Sequence, residues 1–191
     1  AHISCTLPEI FDDVKVQEPI FFDDGKIEGI IEEVAEDSLL VKITYTKDGG
    51  GKLKADKGIN LPESDLKLSG LTEKDKKDLE FVAPNADAVN FSFVNNANDV
   101  QQLFDELSKY ETTIGIILKI ETQKGFKNLP RIILKAMQAF PIGVMIARGD
   151  LAVETGWKNF ASIQEEILRI CEAAHIPDVW ATQVLENLAK K

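Results

Sequence analysis

Lys119, Glu121 and Asp150 carry the chemistry this sequence is equipped to perform. Lys119 and Glu121 flank Ile120 at the end of an almost wholly apolar run, residues 114–120. Alternation along a strand turns both side chains to the same side. A second apolar run, residues 144–147, stops at Arg148-Gly149-Asp150. Glycine permits a turn and a close ligand approach to the main chain. Exposed N–H groups at Gly149 and Asp150 would hold a small anion. The Asp150 carboxylate would hold a hard cation beside it, and Glu121 could share that ion, leaving positions for water and substrate oxygens. Lys119 offers a compact positive charge suited to a phosphoryl group or an enolate oxygen. Hydroxyls stand at two further strand ends, Ser92 and Thr182. Plainer readings use the same residues: Lys119 and Glu121 as a satisfied salt bridge in a sheet, and Arg-Gly-Asp as an ordinary turn or an adhesion tripeptide.

These groups converge only if the strands run parallel and share a rim. Residues 89–94, 114–119, 144–147 and 179–181 read as strands. Thr72 with Asp75 three residues on opens one helix, close to a capping box. Val100, Leu103, Phe104 and Leu107 recur at helical spacing, with Asn98 as the expected cap. Leu129, Ile132, Ile133 and Ala136 mark the next helix, and Phe160, Ile163, Ile167, Ile170 and Ala174 another. A last helix is expected on Val184, Leu185 and Leu188. Apolar strands alternating with amphipathic helices imply a parallel sheet covered by helices, an α/β fold. A closed eight-stranded barrel needs about 200 to 250 residues. Fewer follow residue 58, so the sheet is either open or part of a larger barrel.

Residues 1–58 read differently, as a small β-unit. Strands are expected over 20–23, 26–34 and 39–46, with Asp24-Gly25 as the hairpin turn. Asp23-Asp24 could bind metal, although the turn already explains the pair. Lys57-Gly58-Ile59-Asn60-Leu61-Pro62 reads as a connector, placing the domain boundary between 58 and 59. Elsewhere, His175 reads as a helix C-terminal residue. Trp157, Trp180 and most phenylalanines read as core, and Lys74, Lys76 and Lys77 as a solvated helix face.

The net charge of −10 makes a nucleic-acid backbone a poor partner, but it leaves phosphorylated metabolites open. Two cysteines, Cys5 and Cys171, fit a reducing cytosol and form no metal cluster with histidine. No apolar run approaches membrane-spanning length, and no signal-peptide pattern opens the chain. A soluble, cytoplasmic protein is expected.

Three motifs together resemble the active-site motifs of the pyruvate kinase family: Lys119-Ile120-Glu121 followed by Gly125, then Ala147-Arg148-Gly149-Asp150-Leu151, then Ala181-Thr182-Gln183-Val184-Leu185-Glu186. Further matches lie upstream at Phe22-Asp23-Asp24-Gly25, residues 57–62, Thr72-Glu73-Lys74-Asp75 and Ser92-Phe93, in colinear order from about residue 14 onward. The resemblance implies a partial (β/α)8 TIM barrel of about four βα units, with a small all-β lid domain at the N-terminus. Residues 1–58 would be most of that lid, and residues 59–191 barrel strands four to seven. It further implies phosphoryl transfer from phosphoenolpyruvate to ADP, giving pyruvate and ATP. Glu121 and Asp150 would ligate Mg2+ (or Mn2+). Ala147, Arg148, Gly149, Asp150 and Thr182 would bind substrate. Lys119 would stabilise charge on the phosphoryl group and the enolate, Thr182 would serve enolate protonation, and Lys57 would meet nucleotide phosphate. That division of labour agrees with phosphoryl transfer by positioning and charge neutralisation.

The chain departs from the family pattern at four places. Thr122 replaces the asparagine after Lys-Ile-Glu, and Asn95 replaces an arginine. Ala152 replaces a glycine, and Thr155-Gly156-Trp157 replaces Ile-Pro. The family's K+ ligands and several phosphate-binding arginines belong to strands not in this sequence. The chain therefore reads as a fragment, stable through self-association or with the missing barrel half. Two alternatives follow: a metal-dependent aldolase acting on a pyruvate enolate, which would need a base not found here, and a non-catalytic binding or assembly module.

Overall fold

The computed structural model describes residues 2–139, 141–182, 184, 185 and 188. It divides the chain into two compact units, Ala1–Leu68 and Ser69–Lys191.

The first unit is an antiparallel sheet of β1 (Pro19–Phe22), β2 (Ile27–Val34), β3 (Leu39–Thr46) and β4 (Ile59–Asn60), in the order β3-β2-β1-β4. Phe22 faces Ile27 across a turn in which Asp23, Asp24 and Gly25 all take positive φ (52°, 57° and 77°). Aspartate tolerates that region better than most residues, and glycine adopts it without penalty. Ile10, Val14, Ile20, Phe22, Ile27, Ile31 and Leu61 form the unit's core. The expected boundary at residue 58 shifts because Ile59 and Asn60 pair with Phe22 and Phe21. The stretch read as a connector thus closes the first sheet.

The second unit holds four parallel strands in sequential order: β5 (Ala88–Phe91), β6 (Gly115–Ile120), β7 (Ile142–Ala147) and β8 (Asp178–Ala181). Helix α1 (Glu73–Asn85) precedes β5, and helices α2 (Ala97–Leu107), α3 (Gln123–Ala136), α4 (Arg148–Thr155) and α5 (Trp157–Ala174) connect the strands. Sequential order without a reversal is the arrangement of a barrel arc, whereas a doubly wound sheet has a switch point. Leu118 and Ile120 of β6, Val144 and Ile146 of β7, Leu129 and Ile132 of α3, and Ile167 of α5 are fully buried in one core.

The caps explain where the helices begin. Thr72 and Asp75 form the expected capping box, each accepting the other's backbone N–H. On α2 the cap is Asn96, two residues before the one expected. Asn96 Oδ1 accepts from the Asn98 and Asp99 N–H groups, and Asp99 accepts from the Asn96 N–H in return. His175 closes α5 in the left-handed conformation (φ 55°). Trp157 and Trp180, expected in the core, are 69% and 51% exposed. The helix expected on Val184, Leu185 and Leu188 runs through residues 183, 186 and 187, which lie outside the described ones. Among the described residues no helix is long and apolar enough to cross a membrane.

Candidate functional site

β6 ends in a charged cluster. Ile120 is fully buried among the helices, so Lys119 and Glu121 turn the other way. Lys119 Nζ lies 2.8 Å from Glu121 Oε1 and donates to Ser92 Oγ at 2.9 Å. The Phe93 N–H donates to Glu121 Oε2 at 2.6 Å. Glu121 is only 2% exposed, and these two partners are what allow it to remain there as an anion. The salt-bridge reading therefore describes the pair as it stands. It leaves capacity for more: a carboxylate has about four acceptor positions, of which two are used here.

The Phe93 N–H reaches Glu121 because its backbone is held in an unusual place. Phe93 has φ 52°, a costly region for an aromatic residue, which persists only where the surroundings enforce it. Asn95 Nδ2 donates to the Phe93 carbonyl at 3.0 Å, and Asn128 Nδ2 donates to the Asn95 carbonyl at 2.9 Å. The Asn95 N–H donates to Asp99 at 2.8 Å. The Thr122 hydroxyl donates to Asn95 Oδ1. Two of the positions that depart from the family pattern are therefore one contact. Thr122 also caps α3 through the Gly125 N–H at 2.9 Å. A Cβ on Gly125 would lie 2.6 Å from the Val94 carbonyl oxygen, so only glycine lets α3 seat against this loop.

Arg148-Gly149-Asp150 is neither a free turn nor a protruding tripeptide. It is the half-buried first turn of α4, with Gly149 in helical backbone. Ala147 at the N-cap position supplies no side-chain cap. First-turn N–H groups have no acceptor within their own helix, and the helix dipole favours negative charge there. Ile120 pairs with Ile146 and Ala147 with Ala181. Glu121, the first turn of α4 and Thr182 thus stand side by side at the carboxyl edge of the sheet. Asp150 belongs to that turn.

Arg148 sends its side chain toward α5 and β8, donating to Gln164 and to the Thr182 carbonyl. Gln164 escaped the sequence reading, although a polar residue between Phe160 and Ile167 on a buried stripe was a signal. Phe93 enters the sequence reading only as part of the expected strand and of the Ser92-Phe93 match, since nothing in its identity announces a positive φ. Gln183 and Glu186 of the third motif lie outside the described residues.

Lys57 belongs to the first unit, where its Nζ lies 3.2 Å from Asp23 Oδ1. Lys26 pairs with the same oxygen at 3.0 Å. The Lys26 hydrogen bond, reinforced by Lys57, holds the Asp23 carboxyl below its ordinary range. Among the described residues no three His, Cys, Asp or Glu side chains group closely enough to hold a metal by themselves.

The family described as "Pyruvate kinase, barrel domain" matches residues 1–191. The chain is 36% identical over 190 residues to the pyruvate kinase of Geobacillus stearothermophilus, covering 98% of the chain and 31% of that protein. It is 32% identical over 188 residues to the pyruvate kinase of Staphylococcus aureus strain USA300, again covering 98% of the chain and 31% of the relative. The chain thus spans about a third of the length of these curated relatives.

Proposed function

The chain belongs to the pyruvate kinase family, its fold being a partial (β/α)8 barrel preceded by an all-β, lid-type unit, and we propose that it carries that family's site for phosphoenolpyruvate and pyruvate. The observation behind this reading is the buried Glu121 carboxylate, held by Lys119 and the Phe93 N–H on the same edge as the first turn of α4.

In this proposal Glu121 and Asp150 hold Mg2+ or Mn2+. Two carboxylates suit a hard divalent ion, whose remaining ligands would come from substrate and water. The bound ion supplies charge neutralisation for substrate oxygens. Main-chain N–H groups at Gly149 and Asp150, with Ala147 and Arg148 beside them, receive the substrate carboxylate at the helix N-terminus. Lys119 Nζ shifts its positive charge from Glu121 toward the phosphoryl and enolate oxygens as these develop. Thr182 stands at the face where the enolate carbon is protonated. Lys57 exchanges Asp23 for a nucleotide phosphate. The whole reaction, phosphoryl transfer between phosphoenolpyruvate and ADP in the cytoplasm, belongs to the same proposal.

Oxalate, a stable mimic of the pyruvate enolate, tests the site without requiring turnover. Mn2+ with oxalate should raise the melting temperature, and Asp150→Ala should abolish the shift. A lactate dehydrogenase-coupled assay with phosphoenolpyruvate and ADP then separates an enzyme from a binding module. Binding without turnover would reject catalysis by this chain, and no shift at all would reject the site.

A further inference from the structure

Arg148 lies in the middle of a motif that the family resemblance ties to substrate, yet its guanidinium is committed elsewhere. Its Nε donates to Gln164 Oε1 at 2.7 Å, and one Nη donates to the Thr182 carbonyl at 3.2 Å. The guanidinium carbon sits 4.9 Å from the centroid of the Trp180 ring and 5.7 Å from that of Phe160. Gln164 Oε1 also accepts the Trp180 indole N–H, at 2.9 Å. One buried amide oxygen thus gathers two donors, one from the β7–α4 junction and one from β8. Gln164 is 9% exposed, so removing either donor leaves it under-satisfied.

What this cluster fixes is the main chain at Thr182. Thr182 has φ 60°, and for a β-branched residue that is a genuine outlier which must be held in place. The Arg148 bond to its carbonyl is a holding force the structure supplies. The geometry demands arginine: a planar group must stack on an indole while two of its edges donate in different directions, which an ammonium cannot do.

We infer that the Arg148 side chain is a positioning group, not a substrate ligand: with Gln164 and Trp180 it sets Thr182 against the first turn of α4, so that the Thr182 hydroxyl faces the enolate carbon. This rests on the pyruvate kinase reading. The step it serves forms a C–H bond at the enolate carbon from the electron pair of the enolate double bond, with a proton drawn ultimately from water. The substrate class is thereby a pyruvate-type enolate, and the contribution of Arg148 falls on its protonation rather than on its binding.

The test uses Trp157→Phe as the parent protein, leaving Trp180 as its one tryptophan. Arg148→Lys is added, and separately Gln164→Leu. Three quantities are measured: Trp180 emission with acrylamide quenching, the Kd of oxalate with Mn2+, and deuterium exchange into the pyruvate methyl group in D2O with Mg2+. In both variants Trp180 emission should shift to the red and quench more readily. Exchange should slow by about tenfold or more, the scale of a small misplacement, while the oxalate Kd should change by less than about threefold, as expected for a group that does not bind the ground state. An oxalate affinity that collapses in Arg148→Lys with unchanged Trp180 emission would make Arg148 a ligand and overturn the inference. So would exchange at the parental rate. Neither oxalate binding nor exchange in the parent would refute the pyruvate kinase reading instead, and the Trp180 emission would then decide by itself whether Arg148 holds β8.

Discussion

At the scale of single residues, the question is what keeps a charge buried. Glu121 has 3% of its side chain exposed and is paired with Lys119, which has 24%. Stranding a buried charge by removing its partner costs about 3–5 kcal/mol, less here because Lys119 reaches solvent. Lys119→Met should therefore destabilise the second unit in metal-free buffer. A divalent cation can stand in for the lost ammonium, so Mn2+ should raise the melting temperature of Lys119→Met by more than that of the wild type. Thermal scans with and without Mn2+ measure this, and an equal shift in both would mean that the cation does not take over the role of the Lys119 ammonium at Glu121. Cys171 poses the same problem in neutral form. It is fully buried, and burial pushes its thiol from 9.0 up to about 11. The unfolded thiol ionises first, so this contribution to stability is complete below pH 9 and is lost as pH rises toward 11. Urea midpoints should fall across that window in the wild type, and the fall should be smaller in Cys171→Ala. Ellman's reagent should find Cys5 in the native protein and both thiols only after denaturation.

At the scale of elements, repetition was legible and singular geometry was not. The parallel strands could be read because apolar runs such as residues 114–120 recur between helical stripes, and parallel strands buried on both faces need such runs. The hairpin could be read because Asp23-Asp24-Gly25 can all occupy positive φ. β4 could not: two residues carry no periodicity, so the boundary was set too early. α4 is short, its N-cap position is an alanine, and its first residues look like a turn. The Asn96 cap was displaced to Asn98 because both residues are asparagine and only the reciprocal bond to Asp99 distinguishes them. Lys119, Glu121 and the α4 turn do share an edge, as strand alternation and parallel order required. The loop that presents the Phe93 N–H was hidden, because it depends on contacts between residues far apart in sequence. Asn95 and Thr122 are the clearest such contact. If they act as one unit, Asn95→Ala and Thr122→Val should be non-additive, with a coupling of about 0.5–3 kcal/mol. Denaturant unfolding of the two single variants and the double variant measures it. Additive losses would mean that the two departures from the family pattern are independent.

On the scale of the whole molecule, charge and core make separate demands. A net charge of −10 repels an anionic substrate at long range. For the anionic substrate proposed above, affinity would then have to come from local groups, Lys119 and the first turn of α4, that outweigh the surrounding field within about one Debye length of 8–10 Å. The cores are likewise separate: one is built from residues between Ile10 and Leu61, the other from residues between Leu71 and Cys171, and they share none. A cavity in one therefore removes contacts only from that one. Ile31 is fully buried in the first unit and Leu103 is 1% exposed in the second. Truncating either to alanine should cost about 2–5 kcal/mol in its own unit. Hydrogen exchange read by mass spectrometry resolves the location, because opening is a property of cooperative segments. Ile31→Ala should speed exchange across β1, β2 and β3 and leave β6 and β7 as in the wild type. Leu103→Ala should do the reverse. Acceleration of all five strands by either substitution would mean that the two cores unfold as one, and that a perturbation in the β-unit reaches the Glu121 edge through stability alone.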